Sequence, residues 1–247
     1  MRLSGRVAIV TGGARHIGAA YCRKLAEEGA AIVIADILDG AAVANEIRSK
    51  GGKALALKID VSNEEATNRM ASETIKEFGR IDILVNNAAI FINIQRHPFY
   101  EITGEEWDRV SAVNIKGPFL CAKAVFQQMK EQKSGKIINI SSIGGRKGSA
   151  GRSAYRATKA ALISLTESVA AEARPHGIDV NCICPGGVDT EGYREAFGSR
   201  GREQDPSLMR PEEIAEIAVF LASDASSAIT GTAIDAFGTT NPIFRGS

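Results

Sequence analysis

Six short apolar runs punctuate the chain, at residues 7–10, 31–35, 54–59, 81–85, 136–140 and 180–183, and segments of helical periodicity separate them. These runs are apolar at nearly every position rather than at alternate ones. That pattern predicts strands buried on both faces, the condition of a parallel sheet covered by helices on two sides. Apolar residues three and four apart mark helices at 19–28, 64–78, 105–132 and 154–173. The βαβαβαβαβαβ order predicts an α/β fold with one doubly wound parallel sheet.

Local signals refine the elements. Thr103 with Glu106 three residues on reads as a capping box for the long helix, and Pro211 suits the first position of a helix over 211–222. Gly79 and Gly177 are placed to stop helices. No Pro-, Gly- and Ser-rich linker and no internal repeat divides the 247 residues, so one domain over 1–247 is expected.

Thirty Lys and Arg against 29 Asp and Glu leave a formal charge of +1. Such a balance offers no footprint for nucleic acid or an acidic membrane, and the expected partner is a small-molecule substrate. No run approaches the roughly 18 apolar residues of a membrane span, and the first one stops at Thr11-Gly12-Gly13, too soon for a signal-peptide core. The four cysteines are scattered in apolar segments, which suits reduced thiols in a cytoplasmic protein; Cys182 and Cys184 read as alternating strand residues, and no metal site is expected.

Strand 7–10 runs into Thr11-Gly12-Gly13-Ala14-Arg15-His16-Ile17-Gly18 and then a helix, an arrangement that aims backbone N–H groups at a phosphate. Gly13 and Gly18 also fit the opening of a nucleoside triphosphate loop, but Ala19-Ala20 stand where that motif needs Lys and Ser or Thr. Asp36 ends the second strand 18 residues after Gly18, where a carboxylate accepts hydrogen bonds from a ribose diol and repels a 2′-phosphate. NAD is therefore preferred to NADP, with Arg15 the feature that would welcome the extra phosphate. Ile37 follows Asp36 at the adenosine end.

Tyr155 and Lys159 lie four residues apart on one helix face. A cation beside a phenol favours its ionised form, but lowering a phenol by about three units requires about 4 kcal/mol. One ammonium supplies only part of that, so a second positive charge, such as an oxidised nicotinamide, is expected nearby.

In this order of segments the chain resembles the short-chain dehydrogenase/reductase family over essentially its whole length: the Thr11 to Gly18 turn, Asp60-Val61, Asn86-Asn87-Ala88-Ala89, Asn114, Ser141-Ser142, Tyr155 with Lys159, and Pro185-Gly186 with Thr190. The resemblance implies a Rossmann-type fold and reversible hydride transfer on CH–OH groups. It implies that Gly12, Arg15, His16, Ile17 and Gly18 hold the pyrophosphate side, that Asp36 and Ile37 hold the adenosine ribose, and that Asp60 and Val61 meet the adenine. Asn87 and Ala88 would line the cofactor's path, and Pro185, Gly186, Val188 and Thr190 the nicotinamide. Tyr155 would be the proton-transferring residue, with Lys159 keeping the phenol acidic and binding the nicotinamide ribose, Ser142 bonding the substrate oxygen and Asn114 positioning a relay water. A homotetramer, or a dimer, is the implied assembly.

Departures bear on specificity. His16 stands where the family usually has Gly, Ala89 replaces another frequent Gly, and Asp235-Ala236-Phe237-Gly238 differs from the usual Asp-Gly-Gly. The Gly- and charge-rich stretch from Pro185 to Arg210 reads as a substrate lid over about 186–210. Tyr193, Phe197 and Phe91 could form an apolar pocket, Arg146, Arg152, Arg194 and Arg200 could meet an acidic group, and the apolar tail 243–245 could reach a neighbouring subunit. The leading expectation is an NAD-dependent dehydrogenase of secondary alcohols, polyols or cyclic alcohols. The alternatives are an NADPH-dependent 3-oxoacyl thioester (acyl carrier protein) reductase and a non-catalytic dinucleotide sensor.

Overall fold

The computed structural model describes residues 1–91, 94, 96–197 (196 and 197 as backbone only) and 208–238. Its seven strands are β1 Val7–Thr11, β2 Ala31–Asp36, β3 Ala54–Lys58, β4 Ile83–Asn86, β5 Gly135–Ile140, β6 Ile178–Pro185 and β7 Ala233–Ala236. All pair in parallel, in the order β3-β2-β1-β4-β5-β6-β7. β1 therefore pairs with both β2 and β4, and the chain reverses its winding there. Loops diverge above that point and leave a crevice at the C-terminal strand ends.

Alternate residues of each central strand feed two separate cores. Ala8, Val10, Ile32, Ile34, Ile83 and Val85 face one layer with α1 (His16–Glu27) and α8 (Pro211–Ala222); Ile9, Val33, Leu84, Ile137 and Val180 face the other with α3 (Glu64–Phe78) and α5 (Gly117–Gln132). Burying each such side chain contributes roughly 1.5–3 kcal/mol, which is why the central strands are apolar at nearly every position.

The structure adds α2 (Ala41–Ser49) and β7 to the elements legible in sequence, and it breaks the expected 105–132 helix. α4 (Gly104–Ser111) passes through a π-helical turn at Ala112–Lys116 before α5 begins. Pro118 explains the break, because it has no N–H to give the carbonyl of Asn114 four residues earlier, so the helical ladder widens. Gly117 permits the close approach that accompanies it: a Cβ there would lie 2.8 Å from Val61 Cγ2. Thr103 does cap α4 by accepting from the Glu106 N–H, but the Glu106 carboxylate turns to His97 rather than back to the cap.

A buried polar chain ties β4 and β5 to α6 (Ser153–Ala173). Asn86 Nδ2 donates to Asn139 Oδ1 at 2.9 Å, Asn139 Nδ2 donates to Thr166 Oγ1 at 2.9 Å, and Thr166 Oγ1 donates to the Leu162 carbonyl. Replacing Asn139 by Ala removes one hydrogen bond from Asn86 and one from Thr166 and leaves a cavity in a buried interior. We expect a loss of about 1–3 kcal/mol in urea unfolding free energy, larger than for an exposed Asn45→Ala.

Candidate active site

The turn after β1 is shaped for an anion. The left-handed Gly12 (φ 64°) has no room for a Cβ, which would lie 2.9 Å from Ala88 Cα, and one on Gly18 would lie 1.9 Å from the Gly12 carbonyl oxygen. α1 begins at this turn with no side-chain cap and no acidic residue in its first turn, so its N–H groups are left for a negatively charged ligand. Thr11 and Asn87 stitch the turn to the end of β4: Asn87 Nδ2 donates to the carbonyls of Thr11 and Gly12, while Thr11 Oγ1 accepts from the N–H groups of Asn87 and Ala88.

Asp36 sits buried at the end of β2, its Oδ2 accepting from Ala14 N–H at 3.0 Å and its Oδ1 from Leu38 N–H at 2.9 Å. The carboxylate thus fixes the glycine turn while keeping lone pairs for a ribose diol. Ile37 beside it is 61 % exposed, an apolar face offered to solvent at the adenosine end, and Val61 is buried under the same edge. Asp60 is exposed and bonds Ser62, and Asn63 caps α3 in its place. A dinucleotide's pyrophosphate, ribose and adenine fit this donor and acceptor set.

His16 adopts φ 53°, the left-handed conformation that explains why a glycine suits the position. Burial, then the charge of Arg15, pushes its imidazole below the ordinary histidine value, which favours the neutral ring. Arg15 itself is exposed and Ile17 half-buried.

The catalytic candidates converge at the start of α6. Ser142, at the end of the β5 segment, bonds the Tyr155 phenol, and its Oγ also accepts from Gly144 N–H at 3.0 Å. A Cβ on Gly144 would stand 3.4 Å from both Ser142 Oγ and Tyr155 Cε1, so this glycine lies beside the pair. Lys159 is 3 % exposed, donates from Nζ to the Ile140 carbonyl at 2.7 Å, and lies 5.7 Å from the centre of the Tyr155 ring. Burial holds its ammonium down at about 8.

The expected acidification of the phenol by Lys159 needs correction. Burial raises Tyr155 above the ordinary phenol value, and the groups that oppose burial are Ser142, Arg152 and Arg156. Lys159 is so desolvated that its own charge is disfavoured. Sequence spacing gave the shared helix face but carried no information about dielectric.

Asn114 is fully buried in the widened turn. Its Oδ1 accepts from Ile90 N–H at 2.7 Å and its Nδ2 donates to the Ile90 carbonyl at 3.1 Å and to Thr158 Oγ1 at 3.3 Å, pinning the loop after β4 against α6. On the other side, Gly186 N–H donates to Ala236, buried Val188 bridges Met209, and Thr190 Oγ1 caps α7 (Glu191–Phe197) by accepting from Tyr193 N–H. Part of the stretch read as a lid is therefore helical. Pro185 closes β6, where a missing N–H costs least.

Two arginines expected to meet an acidic group are engaged elsewhere, Arg146 with Asp235 and the Ala233 carbonyl, and Arg194 with Asp189. Arg200, the Phe197 side chain and the tail 243–245 lie outside the described residues.

Two outcomes follow from this geometry. Replacing His16 by Gly should relieve the left-handed strain and raise unfolding free energy by up to about 1 kcal/mol in urea titrations. For Lys159, the unfolded side chain stays protonated up to 10.5 while the folded one loses its proton near 8. The unfolded state therefore binds more protons in that window, and this lysine's contribution to stability rises with pH. Buried Cys22 and Cys121, raised by desolvation, give the opposite slope above their unfolded value of 9.0. The stability of the wild type minus that of Lys159→Met should accordingly increase from pH 7.5 to 10, and a flat difference would contradict the burial of this ammonium.

The model of the short chain dehydrogenase family matches residues 6–200. The chain is 41 % identical over 232 residues to cis-4-hydroxycyclohexanecarboxylate dehydrogenase from Sinomonas cyclohexanicum, covering 92 % of each chain. It is 40 % identical to galactitol 2-dehydrogenase from Agrobacterium fabrum, covering 93 % of this chain and 94 % of the relative. Among solved structures, levodione reductase superposes with a TM-score of 0.89 at 31 % identity, over 96 % of this chain and 98 % of that one. Family match, relatives and the parallel seven-stranded sheet agree: the chain belongs to the short-chain dehydrogenase/reductase family, oxidoreductases that use NAD(P) and act on CH–OH groups.

Proposed function

We propose that this protein oxidises secondary alcohols, of the polyol or cyclic kind, with NAD, within a single domain spanning 1–247 that works in the cytoplasm as a homo-oligomer. The observation that carries the reading is the Ser142–Tyr155 pair set above a fully buried Lys159 at the C-terminal edge of the sheet. A binding protein has no use for such a costly desolvated ammonium beside a phenol.

NAD supplies the acceptor for the hydride that leaves the carbinol carbon. The chain's own residues manage the proton and the oxygen. Ser142 Oγ holds the alcohol oxygen, and Tyr155 Oη, after giving its own proton to the relay, takes the hydroxyl proton as phenolate while the hydride leaves and the carbonyl forms; in reduction the phenol returns the proton to the oxygen. Arg152 and Arg156 assist ionisation of the phenol against the burial that resists it. Lys159, poised near neutrality, passes the proton onward and holds the nicotinamide ribose. Asn114 is proposed to seat the relay water; with its amide engaged by Ile90, that water would bond its backbone carbonyl, which Pro118 leaves without an α-helical donor.

Gly12, Arg15, His16, Ile17 and Gly18 are assigned to the pyrophosphate, Asp36 and Ile37 to the adenosine ribose, Asp60 and Val61 to the adenine, Asn87 and Ala88 to the central path, and Pro185, Gly186, Val188 and Thr190 to the nicotinamide. NAD over NADP is supported by Asp36, buried and ionisable where a 2′-phosphate would sit. Exposed Arg15 favours the second reading, an NADPH-dependent 3-oxoacyl thioester reductase.

Initial rates with cyclohexanol, galactitol and cis-4-hydroxycyclohexanecarboxylate, each with NAD and NADP, test the reading through absorbance of the reduced nicotinamide. We expect NAD-linked turnover of at least one alcohol and a fall in kcat of about 10²- to 10⁴-fold for Tyr155→Phe. Turnover of acyl thioesters with NADPH alone selects the second reading. Tight NAD binding with no turnover of any alcohol, ketone or thioester points to a sensor.

A further inference from the structure

The turn that carries Tyr155 also carries a buried guanidinium. Arg152 stands three residues before Tyr155, is 6 % exposed, and places its guanidinium carbon 4.6 Å from the centre of the Phe91 ring. The Phe91 ring in turn lies 5.0 Å from the Tyr155 ring, tilted by 49°. Guanidinium, phenyl and phenol thus form one packed row, and Phe91 holds the charge in place by a cation–π contact instead of leaving it to sweep through solvent. Ile90, Ile94, Val110 and Ala154 pack around the same rings and give the row an apolar wall.

Two further arginines share this corner. A Cβ built on Gly151 would lie 3.5 Å from Arg96 Cβ, so the base of the Arg96 side chain lies beside the turn that precedes α6; Arg156 N–H donates to the Arg152 carbonyl, one helical turn on. Arg152 is pushed below the usual guanidinium value by burial first and then by the charge of Arg96, with a smaller push from Arg156, and the phenols of Tyr155 and Tyr193 oppose that push. Arg156 is lowered by burial and Arg96 in the same way. Three like charges therefore act on one another beside the reacting phenol.

We propose that Arg152, backed by Phe91 and flanked by Arg96 and Arg156, selects substrates that carry a carboxylate on a hydrocarbon frame: hydroxy acids in oxidation and oxo acids in reduction. The proposal rests on the dehydrogenase reading above and names its substrate class. A planar guanidinium fork matches the two oxygens of a carboxylate, and the positive potential of the three arginines attracts an anion to this corner. A neutral alcohol gains no such attraction. The apolar wall suits the carbon frame between the two polar ends, with the carbinol at Ser142 and Tyr155 and the acid at Arg152.

The test compares 4-hydroxycyclohexanecarboxylate with its carboxamide, which matches it closely in shape but is neutral and carries an NH2 donor in place of one acceptor oxygen. For the wild-type protein kcat/KM should favour the carboxylate by about 10- to 100-fold, with the difference in KM. That ratio should fall towards one in Arg152→Met and recover in part in Arg152→Lys. Exposed Arg96→Gln should lower the ratio by a smaller factor and weaken its dependence on salt. Wild-type enzyme that turns over the carboxamide or cyclohexanol as well as the carboxylate overturns the proposal and leaves the dehydrogenase reading standing. An unchanged ratio in a folded Arg152→Met also overturns it. Absence of turnover on every alcohol with either cofactor sinks the reading on which it rests.

Discussion

Everything in this molecule is arranged around β1, the strand that pairs on one side with β2 and on the other with β4. Because every strand is parallel, each connection must return across a face of the sheet, and the two halves of the chain leave β1 in opposite directions. The loops after β1 and β4 are the ones that separate over the gap. Thr11, Gly12 and Asn87 bond across it, so the turn that would hold a dinucleotide is braced by the topology that creates the crevice. Glycines at 12 and 18 are then demanded by contact: the backbone packs so closely that a Cβ would overlap a carbonyl or a neighbouring Cα.

The chemistry is registered to the same sheet by buried polar bonds. Asn139 reaches from β5 to Thr166 in α6, Ser141 Oγ donates to the Lys159 carbonyl, and Lys159 Nζ donates to Ile140. These fix the rotation and height of α6, so the phenol of Tyr155 meets Ser142. Interior groups of this kind contribute little net stability compared with apolar packing, and their value is in specifying one arrangement. The desolvated ammonium is the costly member. It destabilises the folded state near neutral pH and in exchange titrates where a proton shuttle is useful.

The glycine turn, the acid ending the second strand, the tyrosine and lysine one helical turn apart and the six apolar runs could all be read in the sequence, because each is a local pattern with a local cause. The fracture of the long helix had a local signal too, in Gly117-Pro118, but apolar periodicity runs through it and masks it. β7 was hidden for a different reason: four residues, half exposed at the sheet edge, leave too short a pattern to recognise. Among the arginines, sequence could only collect candidates. Burial and partners sorted them, sending Arg146 to Asp235 and Arg194 to Asp189 while stacking Arg152 on Phe91.

The sequence by itself determined the class of fold, the family and the candidate groups for the chemistry, since spacing along a strand or helix dictates which side chains share a face. Only the tertiary structure decided their electrostatics. Whether a charge is exposed or desolvated, and which other charges lie within a few ångströms, depends on segments far apart in the chain, such as Phe91 against Arg152 and Ile140 against Lys159. A phenol that the neighbouring lysine was expected to make more acidic is instead made less acidic by burial, because the energy of a charge depends on all that surrounds it.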